Sequence, residues 1–286
     1  SNRRAERHEE RIGSKSVVFC GREGQVRILL SNDDGIHSPG LHALAQAVAD
    51  LGEIWVVAPD REQSSVGHAI TLSDPIWIRP YAFDGVHAAF AVGGTPADCV
   101  KLALTDLMPQ RPDLILSGIN RGENTGISTI YSGTVSAATE GTISGVASLA
   151  ISLDSFTSNA FGPAARIARQ LAVLVVQHGL PSDTLLNVNV PHVPQEKLKG
   201  IRVTRQGRAR WKETFEKRVD PRGRNYYWMD GFKVEMEEPD DTDGRALADG
   251  FVSVTPIRLD MTHHQFIEEL KTWSLELPEL EPAHQF

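Results

Sequence analysis

The stretch Ile28-Leu29-Leu30-Ser31-Asn32-Asp33-Asp34-Gly35-Ile36 constrains this chain more than any other. An aliphatic run of that kind suits a strand buried on both faces, as in a parallel sheet. Such sheets gather ligands at the carboxyl ends of their strands. Here the run feeds into two adjacent carboxylates, and Gly35 turns the chain toward Pro39-Gly40-Leu41. Asp33 and Asp34 are therefore expected at the tip of the first strand. Neighbouring carboxylates repel, so such a pair needs a shared proton or a cation. A hard divalent cation with oxygen ligands is the natural partner. A solvated Asp-Asp-Gly turn is the competing reading, because Asp and Gly are common turn formers.

The pattern recurs along the chain. Leu41, Leu44, Ala45 and Val48 predict an amphipathic helix over 40–51, and Ile54-Trp55-Val56-Val57-Ala58 predicts a second buried strand. With the polar loop 60–68 after Pro59, these make a right-handed βαβ start. Residues 70–92 read as shorter strands at the sheet edge. Thr95 and Pro96 open a helix as cap and first residue, in which Cys99 packs as a small core residue. Further strands are expected over 113–117, 148–153 and 185–190, and helices over 132–145 and 163–177. The small residues Ala137, Ala138, Gly141 and Ser144 imply close packing of the former helix on the sheet.

After Pro191 the texture changes. A strand at 201–204, a basic and aromatic stretch over 205–211, and Tyr226-Tyr227-Trp228 with residues 231–236 at hairpin spacing lead to an acidic loop over 237–243. A strand at 251–255 and a helix over 262–273 follow. An aromatic hairpin leaving an α/β core is read as an oligomerisation arm; an edge hairpin packed on its own subunit is the alternative. The expected organisation is a poorly ordered extension at 1–24, one α/β domain over 25–275 with the arm in about 200–275, and a tail at 276–286.

Three successive strand-tip loops carry oxygen donors: Asp33 and Asp34, then Ser64 and Ser65, then Asn120 and Asn124. Carboxylate, hydroxyl and amide oxygens suit Mg²⁺ or Mn²⁺, and the Cys and His set typical of zinc is missing from these loops. Ser132-Gly133-Thr134 opens a helix, where free N–H groups and the helix dipole can cradle phosphate, although an ordinary N-cap has the same residues. There is no GxxxxGK[ST] loop, no GxGxxG after the first strand and no GxSxG elbow. The carboxylates are adjacent, whereas an aspartyl-phosphate phosphatase needs them two positions apart. Metal-assisted attack of water on phosphorus fits best.

A formal net charge of −8 argues against a general nucleic-acid binder. Cys20 and Cys99 form neither a disulfide framework nor a zinc pattern. No apolar stretch spans a bilayer and the N-terminus lacks a signal-peptide core, so a cytoplasmic protein with no membrane partner is expected.

Together, Asn32-Asp33-Asp34-Gly35-Ile36, Ala58-Pro59-Asp60-Arg61-Glu62-Gln63-Ser64, Gly67-His68, 94–100 (Gly-Thr-Pro-Ala-Asp-Cys-Val), Ser117-Gly118-Ile119-Asn120-Arg121-Gly122 and Ser132-Gly133-Thr134-Val135 closely resemble the SurE family of stationary-phase survival proteins, which are metal-dependent 5′-nucleotidases. The similarity runs from about Val26 to Trp273. It implies a Rossmann-like core of mostly parallel sheet with helices on both faces, and a swapped C-terminal arm forming homodimers, sometimes paired into homotetramers. It also implies phosphate release from nucleoside 5′-monophosphates, with 3′-monophosphates and short polyphosphate as further substrates. By motif position the ligands of one divalent cation per subunit, Mg²⁺ or Mn²⁺, would be Asp33, Asp34, Ser64 and Asn120.

In the expected chemistry the cation binds a phosphate oxygen and lowers the pKa of an attacking water, with one of the two aspartates as general base. Ser132, Gly133 and Thr134 would neutralise phosphoryl charge, and Asn120 would hold both metal and phosphate. His68 could protonate the leaving alkoxide or orient a ligand, against the commoner structural role of a lone histidine. Arg121 either attracts phosphate or is a surface charge, and Asp98 supports the Thr95 loop. Arg202, Arg205, Arg208, Arg210 and Lys212 form either a phosphate-docking patch or a solvated face paired with acidic residues. A metal-dependent nucleotide sensor without turnover is the alternative function.

Overall fold

The computed structural model describes residues 25–234 and 237–277; the extension at 1–24 and all but the first two residues of the tail lie outside the described residues. The strands in chain order are β1 (Arg27–Ser31), β2 (Glu53–Pro59), β3 (Ile78–Pro80), β4 (Ala88–Val92), β5 (Leu114–Arg121) and β6 (Ala147–Asp154). They continue as β7 (Thr184–Pro191), β8 (Ile201–Val203), β9 (Trp211–Val219), β10 (Asn225–Lys233) and β11 (Val252–Arg258). Among the described residues, one sheet has the order β3-β4-β2-β1-β5-β6-β7-β11-β8, and β9 and β10 pair separately. Strands β4, β2, β1, β5, β6 and β7 are mutually parallel, whereas β3 runs antiparallel to β4 and β11 antiparallel to β7. Taken by sequence, the six parallel strands have the Rossmann order 3-2-1-4-5-6, with its switch point between β1 and β5.

Burial explains this placement. Ile28, Leu29 and Leu30 are fully buried, so β1 is covered on both faces. On one face Leu41, Leu44 and Val48 of α1 (Pro39–Val48) join Ala164, Ala168, Leu171 and Val175 of α5 (Gly162–His178), over Ile28 and Leu30. The other face, around Leu29 and Ile115, is covered by Cys99 and Val100 of α2 (Pro96–Leu102) and Ala137 of α4 (Gly133–Ile143). The short α3 (Ser128–Tyr131) directly precedes α4. Gly141 lets α4 lie close, because a Cβ there would fall 2.5 Å from Ile115 Cδ1. Helices α6 (Asp243–Ala248) and α7 (His264–Leu270) flank β11 in sequence.

The expected elements recur with shifted ends. Helix α1 ends at Val48, and the α-helix opened by Thr95 stops at Leu102 before a π turn at Ala103–Leu107. Strand β4 lies inside the sheet, with only β3 at that edge. Strand β5 runs four residues past Ser117 and shifts register between Gly118 and Asn120, which carries Asn120 and Arg121 onto the strand. A hairpin is present but placed differently: β9 pairs with β10 from Trp211↔Lys233 to Val219↔Asn225, so Tyr226-Tyr227-Trp228 and Gly231 share one strand, and residues 235–236 of the expected hairpin lie outside the described residues.

Candidate active site

The switch point places the β1 loop and the end of β5 side by side. Asn32 tightens the β1 loop by donating from Nδ2 to the Gly35 carbonyl at 3.0 Å and to Ser38 Oγ at 2.8 Å. Ser38 in turn caps α1. Gly35 has φ +93°, and a Cβ on it would lie 3.1 Å from the Arg61 carbonyl carbon, so this turn requires glycine. Gln63 N–H donates to the Asp33 carbonyl and Ile36 N–H to that of Pro59, each at 2.8 Å, which locks the β1 and β2 loops together.

Helix α4 arrives against the same loop. Ser132 is its N-cap and accepts from Val135 N–H at 3.1 Å. A Cβ on Gly133 would lie 2.6 Å from Asp33 Cβ, so the first residue of the helix rests on that aspartate. The Thr134 hydroxyl donates to Asp33 Oδ1, and its backbone N–H also bonds to this carboxylate. Both donors of Thr134 thus serve Asp33, the nearest buried charge, and are not directed at an incoming phosphate. Asp33 is 5% exposed, and burial raises its pKa against the opposing bonds from Thr134.

Asp34 is raised to about 7, first by burial and then by the charge of Asp33; the Arg121 N–H and guanidinium oppose the rise. Asp34 and the end of β5 are therefore neighbours. Asn120 donates from Nδ2 to the Gly122 carbonyl at 2.8 Å, which turns its amide oxygen the other way. The structure thus brings together Asp33, Asp34, the end of β5 and the 132–134 turn.

The remaining expected residues are placed less directly. Ser64 is exposed and donates to Glu62 Oε1 at 2.5 Å, while Glu62 is close enough to raise both Asp33 and Asp34. Ser65 next to it is exposed, with φ +57°. His68 Nε2 is 2.9 Å from Glu140 Oε2, and Lys101 Nζ is 2.7 Å from Glu140 Oε1. Glu140 lies seven residues along α4 from Gly133, roughly 10 Å down its axis. This buried carboxylate was not singled out from the sequence, although it is the one charged residue in α4. Asn124 turns inward, donating to Ser152 Oγ at 2.8 Å, and is no part of the oxygen set.

Asp98 accepts from Thr71 and Thr95 and closes the capping box of α2. Cys99 is buried and its thiol is pushed well up by that burial, as befits a core residue. In the basic patch, Arg202 pairs with Asp249 and Arg205 with Asp241, each at 2.8 Å, which favours the solvated-face reading for those two.

A hard cation fits the donors present. Among the described residues no three His, Cys, Asp or Glu side chains converge on a metal position, so a cation here must draw on hydroxyl, amide and water oxygens besides the two aspartates. Asn32 Oδ1, fully buried in the same loop, has no hydrogen-bond partner among the described residues. Two adjacent carboxylates, Asp33 buried and Asp34 half-buried, supply the charge that such an ion requires.

A family model described as "Survival protein SurE" matches residues 28–213. A protein of Heliobacterium modesticaldum named 5′-nucleotidase SurE is 48% identical over 249 residues, covering 87% of this chain and 92% of that protein. A protein of the same name from Desulforudis audaxviator is 49% identical over 257 residues, covering 88% and 98%. The crystal structure of the SurE protein from Aquifex aeolicus superimposes with a TM-score of 0.74 at 42% identity, covering 86% of this chain and 98% of that one.

Proposed function

The chain belongs to the SurE family, and from that premise we propose that it is a 5′-nucleotidase using one Mg²⁺ or Mn²⁺ per subunit to release phosphate from nucleoside 5′-monophosphates. The observation that carries this reading is the contact of Thr134 and Gly133 with Asp33, which sets a helix N-terminus beside a carboxylate pair. Phosphate is attracted to such a terminus and carboxylates to a cation, so the two sites serve one substrate.

Asp33, Asp34, Ser64 and Asn120 would hold the cation, which supplies polarisation of a phosphoryl oxygen and acidification of water. Thr134, bonded to the Asp33 carboxylate, would fix that ligand's orientation. Gly133 N–H, Ser132 and Asn120 would bear on the phosphoryl oxygens as charge develops there. One of the two aspartates, both raised by burial, would take a proton from the attacking water while the other stays a ligand. His68, held by Glu140 through Nε2, retains Nδ1 for the leaving alkoxide. Nucleoside 3′-monophosphates and short polyphosphate are proposed as further substrates, and a homodimer formed through the β9–β10 arm, or a homotetramer of two such dimers, as the working assembly.

The test is phosphate release from AMP, GMP and short polyphosphate by chelated protein with Mg²⁺ or Mn²⁺ restored. Release should need the metal and fall on the order of 100-fold or more in Asp33→Asn. Metal-loaded, folded protein that binds AMP without releasing phosphate would instead make this a nucleotide sensor.

A further inference from the structure

Between the end of β5 and the 132–134 turn the chain makes one loop, and its two halves are held from different sides. Asn124 fastens the first half to the sheet: its N–H donates to Asn189 Oδ1 at 2.7 Å, and its carbonyl accepts from Asn187 Nδ2 at 2.7 Å. The second half is held from the root of the hairpin arm. Gly126 N–H donates to Asp243 Oδ2 at 2.9 Å, the Gly126 carbonyl accepts from Gln206 Nε2 at 2.7 Å, and Ile127 N–H donates to the Ala209 carbonyl at 3.0 Å. Asp243 is wholly buried, and its other oxygen accepts from Gly207 and Gly244 N–H, both at 2.8 Å. One carboxylate therefore knots three chain segments through three backbone donors. Lys233, at the far end of β10, adds a second tie to the same loop through Glu123 at 2.5 Å.

A buried carboxylate is costly to retain, and here all three of its backbone donors belong to glycines. Gly126 has φ +54°, and a Cβ on it would lie 2.6 Å from the Ala209 carbonyl oxygen. From Ile127 the chain passes through α3 straight into Ser132, so a shift at Gly126 displaces the turn resting on Asp33. Building on the phosphate role proposed above for Ser132 and Gly133, we infer that Asp243 is a positioning residue: through Gly126 it sets the phosphate turn, and it makes the root of the arm part of the active-site scaffold.

The experiment compares wild type, Asp243→Asn and Gln206→Ala by inorganic phosphate binding in calorimetry, Mn²⁺ binding, KM and kcat for AMP, and thermal midpoint. Asp243→Asn should weaken phosphate binding and raise KM about tenfold, the worth of one charge-assisted hydrogen bond, while the Mn²⁺ dissociation constant stays within about twofold. Gln206→Ala should weaken phosphate binding about threefold by loss of a neutral bond. Unchanged phosphate affinity in a folded Asp243→Asn protein would overturn the inference, as would equal loss of Mn²⁺ and phosphate binding. If Asp243→Asn does not fold, unchanged phosphate affinity in Gln206→Ala overturns it instead. Phosphate binding is read without turnover, so an inactive wild type whose phosphate affinity depends on Asp243 would sink the nucleotidase reading and leave this one standing.

Discussion

Gly133 is the residue where sequence and chemistry meet most tightly. Its missing side chain allows the start of α4 to rest on Asp33, at a spacing where an added Cβ would be 2.6 Å from Asp33 Cβ and 2.9 Å from Oδ2. Gly133→Ala should therefore keep the helix but push it off the aspartate. Phosphate release should fall on the order of 100-fold, since displacements of about 1 Å have that effect, and far-ultraviolet circular dichroism should be unchanged. A second residue reports on pH. Burial first, then the charge of Glu123, raises Asp154 to about 6, with Lys233 opposing. A carboxyl raised on folding binds its proton more tightly in the native state, so its contribution is present below pH 4 and is lost as pH climbs toward 6. Asp154→Asn should accordingly stabilise the protein at pH 7.5 by on the order of 1 kcal/mol, discounted for the group's partial exposure, and have no such effect at pH 4. Thermal melts at the two pH values check the sign.

Among the elements, α2 shows how far local chemistry carries. Thr95 accepts from Asp98 N–H at 3.1 Å, while the Asp98 side chain returns a bond to Thr95 N–H at 2.9 Å. Thr95→Ala should cost about 1 kcal/mol, seen as a thermal midpoint lower by roughly 2–4 °C. That cap was legible in the sequence because its donors and acceptors lie three residues apart. The central strands were legible because burial on both faces leaves uninterrupted aliphatic runs, and the β1 carboxylates because such a run ends on them. The end of β5 was not: Gly118-Ile119-Asn120-Arg121-Gly122 has loop composition, and only pairing with Ser152 and Leu153 across a register shift keeps Asn120 and Arg121 on the strand. Strand β9 was missed because every one of its residues is exposed, so no burial pattern marks it. Glu140 escaped because its meaning depends on Lys101 and His68, 39 and 72 residues away.

At the scale of the whole molecule, the β9–β10 hairpin stands apart from the main sheet. Two-stranded hairpins are marginal alone in water, and this one exposes Phe215, Tyr227, Trp228, Met229 and Phe232. Its register puts Phe215, Tyr227 and Met229 on one face with Trp211 and Val219. A second copy of the chain, as proposed, would cover that face. Light scattering should then give twice 31.4 kDa for the wild type and 31.4 kDa for the Phe215→Glu, Tyr227→Glu double variant. The core has a different logic. Asp33 is held by Thr134, 101 positions later in the chain. Synthesis from the N-terminus delivers both aspartates long before their helix exists, so the cation site proposed above would stay incomplete until α4 has docked. Neither half of the molecule owns the chemistry: a fragment ending at β4 keeps the carboxylates without their helix, one beginning at β5 keeps the helix without its carboxylates, and competence to react belongs to the closed fold alone.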